Sequence, residues 1–136
     1  MAGGQAVIIA GIGARARATG AEIVAAIGDA CARAGFELSD VGVVAGWAKP
    51  ETEAAMREAA RTLRARAELV STQHLQAEAG RCVTASGRSM AAAGVPSVAE
   101  AAAMAAAGPE GMLFLPRIAS SNVTVALAVG PGEAGQ

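Results

Sequence analysis

Cationic side chains follow a glycine pair near the start of the chain. Gly11 and Gly13 come directly after a short apolar run, and Arg15 and Arg17 follow them. A glycine turn between a strand and a helix can direct backbone N–H groups at an anion, and arginine pairs with carboxylates through two parallel hydrogen bonds. Ala16 stands where a dinucleotide-binding G-x-G-x-x-G turn has its last glycine. We predict a carboxylate-binding loop; the glycines without the arginines would favour a tight turn with positive φ.

A second polar group lies between two apolar runs near the end of the chain. It offers one guanidinium, two hydroxyls and one amide, from Arg117, Ser120, Ser121 and Asn122. Because serine and asparagine also favour turns by bonding to the local backbone, a ligand-binding loop and a polar hairpin turn remain equal alternatives. Lys49 follows another apolar run. We expect it to meet both loops at one edge of the sheet, where α/β folds bind ligands.

Three further residues receive structural interpretations. Glu100 ends a Ser-x-x-Glu sequence, in which the carboxylate bonds back to the N–H of the helix N-cap, so we predict a capping role. His74 is the only histidine, and we expect a surface or structural position for it. Trp47 is expected to pack rather than to stack on a ligand. The sequence shows no Ser-His-Asp set, metal-ligating cluster or close carboxylate pair, and we predict neither a metal nor a cofactor.

The segments around these groups alternate between strand and helix patterns. Short β-branched or apolar runs predict strands at residues 6–10, 41–45, 67–70, 112–115 and 123–129. Helix signals, two of them capping boxes, predict helices after Thr19, over residues 52–66 and after Ser97. The last two strands should pair antiparallel, because residues 116–122 are too few for a crossover helix. Residues 71–89 are expected to be mainly loop, with 82–84 extended.

These elements indicate the α/β class: a single three-layer α/β/α domain with a mixed, mainly parallel sheet over residues 1–129, followed by a disordered tail over 130–136. The 136 residues suffice for one ordinary core.

Composition limits the partners and the location of the protein. With 11 basic and 12 acidic side chains, charge gives no reason to expect nucleic acid or an acidic membrane as a partner. Cys31 and Cys82 lack the spacing of a metal site or a disulfide framework. The sequence shows no signal peptide and no membrane span, so we expect a cytoplasmic protein.

Three segments carry a resemblance to a known family. Residues 94–104 (GVPSVAEAAAM), residues 115–128 (LPRIASSNVTVALA) and the turn at 10–17 (AGIGARAR) resemble segments of the CobE / CbiG C-terminal family, in the same order and at similar spacing. Two positions depart from that family: Ala14 stands where cysteine is frequent, and Arg117 where lysine is frequent. The charge at Arg117 is kept, but a guanidinium does not form the imine that a lysine amine can form.

The resemblance implies a role in cobalamin biosynthesis, with a corrin or precorrin intermediate as the ligand and other enzymes of the pathway as further partners. CbiG-type members open a lactone on a cobalt-corrin intermediate and release a two-carbon aldehyde, whereas CobE-type members are the domain by itself in the oxygen-dependent route. The length of this chain resembles the CobE type. We therefore expect a carrier of the intermediate, with a lactone hydrolase as the alternative.

Overall fold

The computed structural model describes residues 6–131, which form one five-stranded sheet with helices on both faces. The strands are β1 Val7–Ala14, β2 Val41–Trp47, β3 Arg66–Val70, β4 Met112–Ala119 and β5 Val123–Gly130. Their order across the sheet is β3-β2-β1-β5-β4. β1, β2 and β3 pair in parallel, while β5 is antiparallel to both β1 and β4. The predicted α/β class, the mixed sheet and the antiparallel last pair are confirmed.

Local signals account for where the longer helices begin and end. The helices are α1 Gly20–Ala34, α2 Pro50–Leu63, α3 Thr72–Ala77, α4 Gly87–Ala93 and α5 Val98–Ala107. The hydroxyl of Thr19 accepts from the N–H of Glu22, whose carboxylate accepts from the N–H of Thr19, so the first capping box is confirmed. α1 ends at Gly35, which has a φ of 82°.

Within residues 6–131 no single helix is long and apolar enough to span a membrane. The bent pair formed by α4 and α5 meets the same criteria of length and composition when the two helices are taken together.

The core has two halves, one on each face of the sheet. On one face Ile23 and Ile27 of α1 and Met56 of α2 pack against β1, β2 and β5, and the buried Cys31 packs among them. On the other face the alanine-rich α5 lies directly on β1, β2 and β5. The small side chains of α5 let its backbone approach the strands closely, which produces the predicted three layers.

The glycine turn predicted at residues 11–13 is wrong, because β1 continues through these residues to Ala14. Among the described residues the glycines with positive φ are Gly35, Gly94 and Gly108. A Cβ on Gly11 would overlap the carbonyl oxygen of Ala99 on α5, and one on Gly13 would lie 2.5 Å from the hydroxyl of Thr124. Close packing of helix and strand, rather than backbone twist, explains both glycines.

Three smaller predictions also need correction. Residues 71–89 contain α3, a 3₁₀ turn at Ala79–Arg81 and the start of α4 rather than mainly loop. Residues 82–84 form no strand, although the backbone of Cys82 is extended as predicted. β4 extends to Ala119, so Arg117 lies in a strand and only residues 120–122 form the turn. Gly130 ends β5 instead of starting a disordered tail; residues 132–136 of that predicted tail lie outside the described residues.

Candidate functional site

A cleft of about 540 Å³ opens at the edge of the sheet where β1 and β2 end and β5 begins. Carboxyl ends of parallel strands are the usual ligand-binding edge of an α/β sheet. The lining combines cations, hydroxyls and apolar side chains. It consists of residues Ile12, Gly13, Ala14, Arg15, Ala16, Trp47, Lys49, Thr52, Met56, Ser86, Arg88, Ser89, Ala92, Val98, Arg117, Ala119, Ser120, Ser121, Asn122, Val123 and Thr124.

Most of the residues predicted to bind a ligand come together in this cleft. Both predicted loops and the residue two positions after β2 contribute: Gly13, Arg15, Lys49, Arg117, Ser120, Ser121 and Asn122. Gly11 and Arg17 are not part of the lining. Gly11 is buried beneath α5, and the Nε of Arg17 donates to the side-chain oxygen of Asn122 at 3.3 Å.

Asn122 connects the turn between β4 and β5 to the loop after β1 and to α1 through hydrogen bonds. The side-chain N–H of Asn122 donates to the carboxylate of Glu22 at 3.2 Å. The backbone carbonyl oxygen of Asn122 accepts from the backbone N–H of Arg15 at 3.0 Å. The pKa of Glu22 lies below its usual value, first because the carboxylate accepts from the N–H of Thr19 and then because it accepts from Asn122. The amide of Asn122 is thus engaged by its neighbours, and its contribution to the cleft is the position of the backbone around Arg15.

One wall of the cleft was not anticipated from the sequence. α4 and the residue before it supply Ser86, Arg88, Ser89 and Ala92 to the lining. The hydroxyl of Ser86 accepts from the N–H of Ser89, and Gly94 ends the helix with a φ of 75°. Both cap residues are visible in the sequence. The seven residues between them are too few to show the apolar periodicity that identifies a helix.

Glu100 does not complete the predicted capping box. The hydroxyl of Ser97 does accept from the N–H of Glu100 at 3.1 Å, but the carboxylate points away from the cap. It is fully buried and accepts four hydrogen bonds, from the N–H groups of Val83, Thr84 and Arg117 and from the Thr84 hydroxyl, at 2.6–3.0 Å. Burial raises the pKa of Glu100, but the bonds from Arg117, Thr84 and Val83 outweigh it, so the pKa lies below its usual value.

The carboxylate of Glu100 thereby joins two walls of the cleft. Thr84 lies two residues before Ser86, where the α4 segment joins the lining, and Arg117 lies on β4, which contributes a separate part of the lining. One oxygen of Glu100 accepts from Val83 and Thr84, while the other accepts from Thr84 and Arg117. Because a buried carboxylate requires such partners, Glu100 fixes the distance between these two segments.

The cleft is strongly cationic. Arg15, Lys49, Arg88 and Arg117 line it from four separate segments, and none of the lining residues is acidic. None of these four cations forms an ion pair with a carboxylate among residues 6–131. The Nε of Arg117 is buried and has no hydrogen-bond partner in this part of the chain. A buried donor without a partner is unfavourable, so this guanidinium is suited to an anionic ligand that supplies the acceptor.

The rest of the lining includes apolar side chains and side chains that are already hydrogen-bonded. Ile12, Met56, Val98 and Val123 give the cleft an apolar surface. Trp47 donates its ring N–H to the hydroxyl of Thr72 at 2.8 Å, and the ammonium of Lys49 lies 4.8 Å from the centre of the Trp47 ring. Trp47 therefore has both a packing role, as predicted, and a place in the cleft. The arrangement fits a large apolar ligand that carries several carboxylates.

Comparisons with known proteins agree on one family. Residues 8–128 match the model of the family described as cobalamin synthesis G C-terminus. The protein CobE of a Sinorhizobium species is 34% identical over 124 residues, which cover 91% of this chain and 80% of that protein. The crystal structure of a CobE from the cobalamin (vitamin B12) biosynthetic pathway has a TM-score of 0.89 at 24% identity, covering 98% of this chain and 96% of that one. Cobalamin biosynthesis protein chiG of Agrobacterium tumefaciens has a TM-score of 0.73 at 39% identity, covering 91% of this chain and 98% of that one.

Proposed function

Because the chain belongs to the cobalamin synthesis G C-terminal family and is a cobalamin biosynthesis protein of the CobE/CbiG C-terminal type, we propose that it binds a corrin or precorrin intermediate and carries it unchanged between enzymes of that pathway. The observation that carries this proposal is the cationic cleft with its apolar lining. Corrin intermediates combine a large apolar macrocycle with acetate and propionate side chains. Such a ligand would use both kinds of surface.

The chemistry of the cleft favours a carrier over a catalyst. Lactone opening requires an activated water and a group that transfers protons near neutral pH. The lining residues include no histidine, aspartate, glutamate or cysteine. His74 is exposed on α3 and is not among the lining residues. The groups that do line the cleft are donors suited to holding carboxylates.

The carrier proposal predicts recovery of unmodified ligand. Excess corrin and precorrin pool extracted from a cobalamin-producing bacterium would be incubated with the protein, and bound and free corrins would be analysed by mass spectrometry. We expect one equivalent of corrin per protein, with its mass unchanged after the protein is denatured. The bound fraction should decompose more slowly in air than the free pool, because the cleft excludes water and oxidant.

A hydrolase would give a different outcome in the same incubation. Many equivalents of a corrin with a new mass, or of acetaldehyde, would replace the carrier proposal by the lactone hydrolase. The Arg61→Ala variant is a suitable control, because Arg61 is exposed on α2 and does not line the cleft. It should retain the same equivalent of ligand as the unmodified protein.

A further inference from the structure

We propose that α4 is a lid on the cleft: residues 85–94 open by local unfolding while the rest of the domain stays folded, and the ligand enters and leaves through that opening. This inference rests on the proposed function and adds the step that controls loading and release. The segment contributes Ser86, Arg88, Ser89 and Ala92 to the lining. A ligand held in the cleft therefore lies against α4.

Little packing holds α4 in place. Of its seven residues only Ala93 is buried, Ser89 is half-buried, and the other five are exposed. A helix of this length is unstable by itself in water, and helices in proteins are stabilised mainly by the apolar face that they bury. The one side chain that α4 buries is a methyl group. A segment with so few buried contacts opens at a much smaller cost in free energy than the whole domain.

Both ends of the segment are fixed to the domain. Before α4, the N–H and the hydroxyl of Thr84 donate to the buried carboxylate of Glu100. After α4, Val95 is fully buried in the core. The N–H of Ser86 donates to the carbonyl oxygen of Pro96 at 2.9 Å, so the two ends lie side by side. A loop whose ends are held together at its base can open without moving the elements that carry it.

The other parts of the lining are held more firmly. β1, β2 and β5 lie inside the sheet, and α5 is buried along nearly its whole length. The loop after β1 and the turn at residues 120–122 are joined to each other and to α1 by the hydrogen bonds of Asn122. α4 is thus the part of the lining that opens at the smallest cost.

Arg88 gives the lid a contact with its ligand. It lies on α4, lines the cleft and forms no ion pair with a carboxylate among residues 6–131. A carboxylate of the ligand would pair with this guanidinium and favour the closed form, because a ligand shifts the equilibrium toward the form that it binds better.

Hydrogen exchange of the ligand-free protein tests the opening by itself. The N–H groups of Met90 and Gly94 donate to the carbonyl oxygens of Ser86 and Met90. We expect these amides to be protected about a hundredfold less than those of Ile27 and Ala30 in α1, with little dependence on urea, because local opening exposes little surface. Equal protection in α4 and α1 would show that α4 opens only when the whole domain unfolds, and would overturn the proposal.

Two substitutions change the stability of α4 at residues outside the lining. Ala91→Gly removes an exposed methyl group from the helix, and Gly87→Ala adds one where a Cβ meets nothing within 4 Å. Each variant would be mixed in a stopped-flow instrument with a dicyanocobalt corrin whose side chains are free acids. Ala91→Gly should raise the association and dissociation rate constants together by about two- to fivefold, and Gly87→Ala should lower both by about twofold. The dissociation constant should not change, because the ligand passes through the open form in both directions.

Matched controls lie on α1, which contributes nothing to the lining. Ala25→Gly and Gly28→Ala make the same changes there, again at an exposed alanine and at a glycine with open space, and should leave both rate constants unchanged. Unchanged rate constants in the α4 variants, or a change in the dissociation rate constant alone, would show that α4 is a fixed wall and overturn the lid. Absence of corrin binding by the unmodified protein at millimolar concentration would overturn the proposed function, and the exchange measurement would still decide whether α4 opens.

Discussion

Glu100→Ala is expected to lower the free energy of unfolding by about 3 kcal/mol or more, because it removes a fully buried carboxylate and leaves its four donors, three N–H groups and one hydroxyl, without their acceptor. These donors belong to Val83 and Thr84, which precede the α4 segment of the cleft, and to Arg117 on β4. Urea unfolding would measure the loss. Glu110→Gln, in an exposed turn, is the control and should change stability by less than about 0.5 kcal/mol. A Glu100→Ala protein as stable as this control would contradict the assignment.

The lowered pKa of Glu100 also predicts how stability depends on pH. A carboxylate whose pKa is lower in the folded than in the unfolded protein stabilises the fold above its ordinary pKa, 4.5 here. That contribution is lost as the pH falls below the ordinary pKa and then through the lower pKa that Glu100 has in the folded protein. Glu100→Gln keeps the size of the side chain and removes the titrating group, so its stability should fall less steeply on acidification. An unchanged acid profile in Glu100→Gln would show that other groups control it.

Arg117→Ala is expected to weaken binding of a dicyanocobalt corrin with all side chains as free acids (below, the free-acid corrin) by about a hundredfold, and Arg15→Ala by about tenfold. The difference follows from their surroundings. The Nε of Arg117 is buried without a partner, whereas Arg15 is exposed, where water and salt weaken its attraction for a carboxylate. Absorbance titration of each variant would give the two dissociation constants.

Arg61→Ala is the matched control for these two variants. It removes the same side chain from the outer surface of α2 and should leave the dissociation constant unchanged within about twofold. Equal losses at Arg61 and Arg117 would indicate attraction by overall charge rather than by the cleft. No loss at Arg117 would place the ligand elsewhere.

The sequence predicted the parts of the fold that short-range chemistry determines. The Thr19 box with Glu22 and the β-branched runs of β1, β2 and β5 depend on neighbouring residues, and the structure confirms them. α2 was predicted over residues 52–66, but it begins two residues earlier, at Pro50, whose missing N–H costs nothing in the first turn, and it ends at Leu63. The convergence of Arg15 and Lys49 followed from parallel strands ending at one edge of the sheet.

The parts that could not be predicted depend on contacts between distant segments. The sequence Ser97-x-x-Glu100 is the same whether the carboxylate bonds to its own cap or to Thr84, which is 16 residues away along the chain. Gly11 suggested a turn, but α5 packs so closely on it that a side chain would be excluded. α4 is too short for its pattern to be distinguished from a loop, which is why Arg88 was missed.

The most direct test of the central claim is a nuclear magnetic resonance titration of the ¹⁵N-labelled protein with the diamagnetic free-acid corrin. Binding in the cleft predicts saturable amide shifts at one equivalent, concentrated in the loop after β1, in α4 and at residues 117–122. The outer face of α2 around Arg61 should remain unchanged. Shifts absent at saturating corrin, or concentrated away from the three cleft segments, would contradict the claim that this cleft holds a corrin.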